Sequence, residues 1–275
     1  MSVVDACHQS ADSITPGNSV GRHYFDKRRS VDSLREPVQK GRRRHLESNP
    51  NIVGVASLIG DPSRAAMLMN LLGGEALPAG ELARAASITP QTASSHLAKM
   101  VEGGLLVHEF CGRHRYYRLA NAEVGQALEA LNAIALPKPI RSLRESDQSK
   151  TLRFARTCYD HIAGEVGVAL TDRLISLGVI EESGRDFSLS QEGLVRIKNF
   201  GVRVEDLQKT RRHFARQCLD WSERRHHLAG SLGAAVTGRL FDLEWISRIP
   251  GGRAVRVTRE GFKGLEAEFG IKLRR

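Results

Sequence analysis

The residues with most chemistry to offer lie in two similar stretches, Cys158-Tyr159-Asp160-His161 and Cys218-Leu219-Asp220-Trp221, the second followed by His226 and His227. Thiolate, imidazole and carboxylate form the donor set of zinc and of softer metals. Cys158, Asp160, His161, Cys218, Asp220 and His227 are therefore candidate ligands for zinc or another thiophilic metal, in a site to which both stretches contribute. The same residues allow a plainer reading. Cysteine is a small residue that packs well in a core, aspartate caps helices, and histidine is at home on a surface. The spacing matches no zinc signature, so the residues alone leave both readings open. A third use is a Cys158 thiolate with His161 as its base, which needs an activated nucleophile and an oxyanion site. No glycine-rich nucleophile turn surrounds Cys158.

A second set of side chains suits nucleic acid. Gln91, Thr92, Ser94 and Ser95 are short polar residues, followed by Lys99. At the N-terminal end of a helix, such residues can donate to and accept from base edges. Lys99 is better placed for a phosphate. Further on, Arg113, His114 and Arg115 make a basic cluster suited to phosphates or a minor groove.

These groups need elements to hold them, and the stretch from Pro78 to Leu119 supplies a plan. Leu82, Ala83 and Ala86 give a first short helix a small apolar face, and Ile88 sits in the turn after it. Thr89 is a good N-cap and Pro90 fits the first helical position. The second helix is expected to run to about Glu102, with Gly103-Gly104 ending it. Ala93, Leu97, Met100 and Val101 face inward, which turns the short polar residues outward. Leu105-Leu106-Val107 opens a strand, Cys111-Gly112 fits a turn, and Tyr116 to Leu119 returns as a second strand. An amphipathic helix with a solvated polar face is the plain alternative. Apart from Lys99, the polar face here carries short polar residues rather than the Glu and Lys that a merely soluble helix tends to carry.

On these residues, the region from about Ile52 to Ala135 resembles the ArsR/SmtB family of bacterial winged-helix repressors. The resemblance rests on DPSRAAMLMNLL, on ELARAASITPQTASSHLAKMVEGGLL and on GRHRYYRL. It implies double-stranded DNA as partner, a homodimer formed through the flanking helices, and DNA affinity lowered by an effector. The flanks are Asn51 to Gly60 and Asn121 to Ala135. In the latter, Val124, Leu128, Leu131 and Ile134 form a stripe for packing, either on a partner or within one subunit. The family's metal sites do not carry over. The first helix of the pair, Glu81 to Ala86, has no thiol or imidazole, and the last offers only Glu123 and Glu129. An effector, whether metal ion, thiol oxidant or small molecule, would act elsewhere.

Composition agrees with a polyanionic partner: the net charge is +10 and the pI about 9.8. A basic architectural nucleic-acid-binding protein without an effector is the alternative that charge alone permits. The sequence has no apolar run of membrane-spanning length and no apolar N-terminal signal core, so a cytoplasmic location and no membrane partner are expected. The cysteines Cys7, Cys111, Cys158 and Cys218 are then expected to be reduced thiols.

Four regions are expected. Residues 1–48 are polar, with Lys27-Arg28-Arg29 and Arg42-Arg43-Arg44, and read as a disordered basic arm or a solvated tail. Residues 49–136 form the DNA-binding and dimerisation domain, and 137–150 a linker. Residues 151–275 hold a duplication, with copies over about 152–203 and 212–272. In it Phe154 to Asp160 matches Phe214 to Asp220, His161 to Gly164 matches His227 to Gly230, and Ser190 to Gly193 matches Thr258 to Gly261. Each copy reads as helix, hairpin, helix, the first helix running from Ile162 to Leu177. The expected fold is mainly α with small β-hairpins: a winged helix-turn-helix followed by two related helix–hairpin–helix subdomains.

Overall fold

The computed structural model describes residues 49–111, 114–136, 139–140, 142–209 and 212–273. The basic arm of residues 1–48 and the wing residue Arg113 lie outside the described residues. The described residues fall in two units that divide between Ser57 and Leu58. The first carries most of helix α1 (Ile52–Ile59), whose Ile52 and Val53 are exposed.

The second unit opens with α2 (Pro62–Leu71), where the Arg64 N–H donates to Asp61 Oδ1 at 2.9 Å and Pro62 takes the first turn. A two-residue strand, β1 (Leu77–Pro78), precedes α3 (Ala79–Ala85). The chain then turns through Ser87, in a left-handed conformation, into α4 (Pro90–Glu102). Thr89 caps α4 as expected, accepting from the Thr92 N–H at 3.2 Å. Strands β2 (Leu106–Cys111) and β3 (His114–Leu119) pair antiparallel, with Cys111 opposite His114. The returning strand therefore begins two residues before the expected Tyr116, which puts His114 and Arg115 in the strand rather than at its tip. β1 adds to the free edge of β3, in the order β1-β3-β2. Helix α5 (Ala122–Ile134) follows, capped by Asn121. Leu68, Leu82, Ala93, Leu97, Leu106 and Leu119 fill the space between these elements. The result is a winged helix-turn-helix, with α3 and α4 as the helix pair and β2–β3 as the wing. The expected stripe on α5 divides: Val124 and Leu128 join this core, while Leu131 and Ile134 are exposed.

The stretch expected to be a linker is helical from Leu143. Its prolines end at Pro139, and Ser142 Oγ caps α6 (Leu143–Phe154) by accepting from the Glu145 N–H at 3.1 Å. Beyond it come β4 (Arg156–Cys158), β5 (His161–Ala163), α7 (Gly164–Ser176), β6 (Ile180–Ser183), β7 (Asp186–Leu189) and α8 (Gln191–Asn199). A short α9 (Val204–Gln208) leads to β8 (Arg216–Leu219), β9 (His226–Ala229), α10 (Gly230–Asp242), β10 (Ile246–Arg248), β11 (Val255–Val257) and α11 (Arg259–Phe269). Each helix–hairpin–helix stretch is thus preceded by a strand pair that was not expected. The helix expected from Ile162 starts at Gly164, because His161 to Ala163 pair with Arg156 to Cys158.

Contacts in this half run crosswise. Asp186 of β7 pairs with Arg216 of β8, making a four-stranded sheet β6-β7-β8-β9, and Arg156 bridges to Ala254. The Leu228 N–H donates to Thr171 Oγ1 and the Ile162 N–H to Thr237 Oγ1, each at 2.8 Å. Arg173 Nε donates to the Phe269 carbonyl at 2.8 Å, and Arg239 Nε to the Phe200 carbonyl at 2.9 Å. One apolar core serves both stretches, with Leu170 and Leu174 from the first and Leu232 and Leu240 from the second. Among the described residues no single helix is long and apolar enough to cross a membrane.

Candidate nucleic-acid interface and Cys–His cluster

The amphipathic pattern of α4 decides what it shows to solvent. Ala93, Leu97 and Met100 are buried, so Gln91, Thr92, Ser94, Ser95 and Lys99 are exposed along the opposite side. Their hydroxyls are not equally free. Ser94 Oγ donates to the Pro90 carbonyl at 2.9 Å, which leaves it only as an acceptor toward a base. Thr92 Oγ1 lies 2.9 Å from Thr89 Oγ1 and is tied to the cap. Gln91 and Ser95 keep both donor and acceptor capacity for an outside partner. On the wing, the exposed Arg115 guanidinium stands 5.0 Å from the centre of the Phe110 ring, which is itself exposed. That stacking pre-orients the charge on a flat strand surface. Sequence reasoning missed His96 of α4, whose Nδ1 lies 3.2 Å from Arg64 Nη1 and ties α4 to α2.

The two Cys-containing stretches become the hairpins β4–β5 and β8–β9. Strand register does the positioning: Cys158 sits opposite His161, and Cys218 opposite His227. Cross-strand partners share one face of a sheet, so each hairpin presents one thiol beside one imidazole. The donor atoms of Cys158, His161, Cys218 and His227 all lie within 4.8 Å of one another. The two sulfurs are 3.8 Å apart and the two Nε2 atoms 3.1 Å apart. Cys158, His161 and His227 are buried, and both thiols are free.

Asp160 and Asp220, expected among the ligands, are not in this cluster. They stand behind it. Asp160 Oδ1 is 3.3 Å from His161 Nδ1, and Asp220 Oδ2 is 3.4 Å from His227 Nδ1. Each carboxylate is held in turn by an arginine. Arg212 Nη2 donates to Asp160 at 2.8 Å, and the buried Arg156 Nη2 to Asp220 at 2.8 Å. The Gly164 N–H adds a 2.7 Å bond to Asp220. Neither arginine was singled out in the sequence, although Arg156 falls two residues before Cys158, as Arg216 does before Cys218.

Charge in the cluster follows these contacts. The Cys218 hydrogen bond and burial push the Cys158 thiol far above its usual range. Burial works against charge on Asp220, yet His227, Arg156 and the Gly164 N–H hold its carboxyl well below the usual carboxylate range. Burial likewise disfavours a charged His227, but Asp220 and Cys158 outweigh it and raise that imidazole to about 9. A thiol pushed upward by burial is the opposite of the low-pKa thiolate that nucleophilic catalysis uses.

The β4–β5 turn also touches the winged helix. The Tyr159 N–H donates to the Leu72 carbonyl at 2.7 Å, and Thr157 Oγ1 to the Gly73 carbonyl at 3.3 Å. A Cβ on Gly74 would come within 2.1 Å of the Tyr159 carbonyl oxygen. Nearby, Arg248 Nε pairs with Glu75 at 2.7 Å, and the buried Arg253 pairs with the buried Glu129 of α5.

Residues 59–109 match a helix-turn-helix domain family. Over 225 residues the chain is 46% identical to the uncharacterized HTH-type transcriptional regulator YdfF of Bacillus subtilis (strain 168), covering 82% of this chain and 100% of that protein. An alignment of that length runs through the C-terminal half as well as the winged helix. Among solved structures, NolR from Sinorhizobium fredii is 27% identical with a TM-score of 0.28, covering 30% of this chain and 81% of its own. The cadmium metal-sensor CMTR from Mycobacterium tuberculosis is 28% identical with a TM-score of 0.27, covering 34% of this chain and 100% of its own.

Proposed function

The chain belongs to the HTH-type transcriptional regulators, and on that premise we propose that it is a dimeric repressor of the ArsR type whose DNA affinity is modulated by an effector. The observation that carries the DNA-binding site is the exposed polar face of α4, with Gln91 and Ser95 free to read bases, Thr92 and Ser94 beside them, and Lys99 on a phosphate. Arg115, together with Arg113, holds the flanking backbone. Dimerisation is supported by exposed apolar side chains on both flanking helices, Ile52 and Val53 on α1 and Leu131 and Ile134 on α5.

The DNA-binding and dimerisation domain covers residues 49–136, and residues 151–275 form the effector module, a duplicated unit. The crosswise pairs support the duplication. Thr171 and Thr237 occupy matching places on α7 and α10 and serve each other's strand, and Arg173 and Arg239 do the same for each other's final helix. The effector is a metal ion or a thiol oxidant acting at this module.

Footprinting and titration on DNA upstream of its own gene, at graded salt, test this reading. Binding to an inverted repeat with strongly salt-dependent affinity is expected. Replacing Ser94 and Ser95 by alanine should relax base preference. Removing Arg113 and Arg115 should weaken all sequences alike and flatten the salt dependence by about one phosphate contact each. If both variants bind as the parent does, the recognition surface is misplaced. Equal affinity for every sequence would replace the repressor with an architectural binder.

A further inference from the structure

We propose that Cys158, His161, Cys218 and His227 hold one zinc ion in a closed tetrahedral site that clasps the two ligand-bearing hairpins of the C-terminal half together. This deepens the effector reading, but it does not depend on DNA binding.

The sulfur–sulfur and nitrogen–nitrogen edges have the size expected of a tetrahedron around zinc. Zn–S bonds of about 2.3 Å and Zn–N bonds of about 2.0 Å imply edges of about 3.8 Å between sulfurs and about 3.3 Å between nitrogens. The observed separations are 3.8 Å and 3.1 Å. Four protein donors within 4.8 Å leave no open position, which marks a structural rather than a catalytic centre. Two thiolates and two imidazoles in that arrangement favour zinc over hard cations such as magnesium or calcium.

The surroundings point the same way. His161 Nδ1 is within hydrogen-bond range of Asp160 at 3.3 Å, while His227 Nδ1 makes no hydrogen bond and lies at ion-pair distance, 3.4 Å, from Asp220. A carboxylate there stabilises the Nδ1–H tautomer and leaves Nε2 with a bare lone pair, the usual arrangement behind a metal-bound histidine. With both Nε2 atoms unprotonated, two lone pairs face each other at 3.1 Å in a buried site, an arrangement that a shared cation, metal ion or proton, relieves. The fixed arginines behind Asp160 and Asp220 keep both carboxylates ionised for that role.

The arrangement also accounts for the absence of a zinc signature. Only two residues separate Cys158 from His161, but eight separate Cys218 from His227. Strand register, not local spacing, brings each pair together. A single ion binding across β4–β5 and β8–β9 joins strands that are far apart in sequence, and so stabilises the fold of the whole half.

The full-length protein, purified under reducing conditions without chelator, should carry about one zinc per chain by elemental analysis. Replacement with cobalt(II) should give sulfur-to-cobalt charge-transfer absorption and visible bands of tetrahedral intensity. Cys218→Ser and His227→Ala should each lose the bound zinc. Because these variants can also misfold, the cobalt spectrum of the unaltered chain is the deciding measurement. Weak octahedral bands without sulfur absorption, or no uptake of either metal, would overturn the proposal. So would a spectrum that survives both substitutions. DNA affinity measured on the same samples keeps the two readings apart: zinc without DNA binding removes only the repressor, and DNA binding without zinc removes only the clasp.

Discussion

Arg156 shows how one residue can hold two parts of a fold. It is almost fully buried, pairs with Asp220 at 2.8 Å, donates to Ser222 Oγ at 3.1 Å, and lies 4.4 Å over the Trp221 ring. A buried pair of this kind adds little net stability when intact, but stranding one charge costs about 3–5 kcal/mol. Arg156→Met should therefore lower the stability of the C-terminal half by that order in denaturant unfolding. Adding Asp220→Asn should recover part of the loss, since the stranded carboxylate is then gone. An Arg156→Met protein as stable as the parent would contradict the buried pair. In the winged helix, Thr89→Ala removes the cap of α4 and should cost about 1 kcal/mol. Thermal unfolding would show it, and an unchanged midpoint would mean that the cap hydrogen bond contributes nothing.

At the scale of elements, one helix glycine sets how closely a helix and a strand approach, and a second on the same helix does not. A Cβ on Gly233 of α10 would lie 2.4 Å from the Leu228 carbonyl oxygen and 3.4 Å from His161 Cβ. Gly233→Ala should push α10 off β9, destabilise the half by about 1–3 kcal/mol, and speed the release of zinc to a chelator. Gly238, on the same helix, has nothing within 4 Å of an added Cβ. Gly238→Ala should stabilise by about 0.5–1 kcal/mol, through helix propensity alone. Equal effects at both positions would mean that the close approach at Gly233 is not real.

Elements also show where the sequence was readable. Thr89-Pro90 announced the start of α4 because capping is a local interaction, and the inward Ala93, Leu97 and Met100 turned its polar residues out. The β4–β5 hairpin was hidden because its turn, Tyr159-Asp160, contains no glycine or asparagine, and Tyr159 takes a φ of 62° that few aromatic residues adopt. β1 is two residues long and gains its partner only when β3 arrives. The Cys and His residues were visible by type. That Asp160 and Asp220 stand behind the imidazoles was not, since it depends on two hairpin turns that carry no turn signature in the sequence.

For the whole molecule, the informative feature is that the Tyr159-Asp160 turn has two neighbours. It closes the hairpin that bears Cys158 and His161, and it rests on Leu72 and Gly74 of the winged helix. The left-handed Tyr159 carries strain on the order of 1–3 kcal/mol, which the contacts around it must hold. Gly74 itself has a φ of 78°, so Gly74→Ala meets both backbone strain and the Tyr159 carbonyl. That substitution should leave zinc content intact while removing any effect of zinc on DNA affinity. A zinc effect that persists would place the coupling elsewhere, with Glu129 and Arg253 as the next pair to test.

If metal occupancy and DNA affinity are joined through that turn, the dependence runs in both directions. Whatever factor zinc applies to operator affinity, the operator must apply to zinc affinity. A molecule seated on its promoter then holds its metal with a different grip from one free in solution. The number of operator sites becomes one of the quantities that set how much zinc the protein population retains.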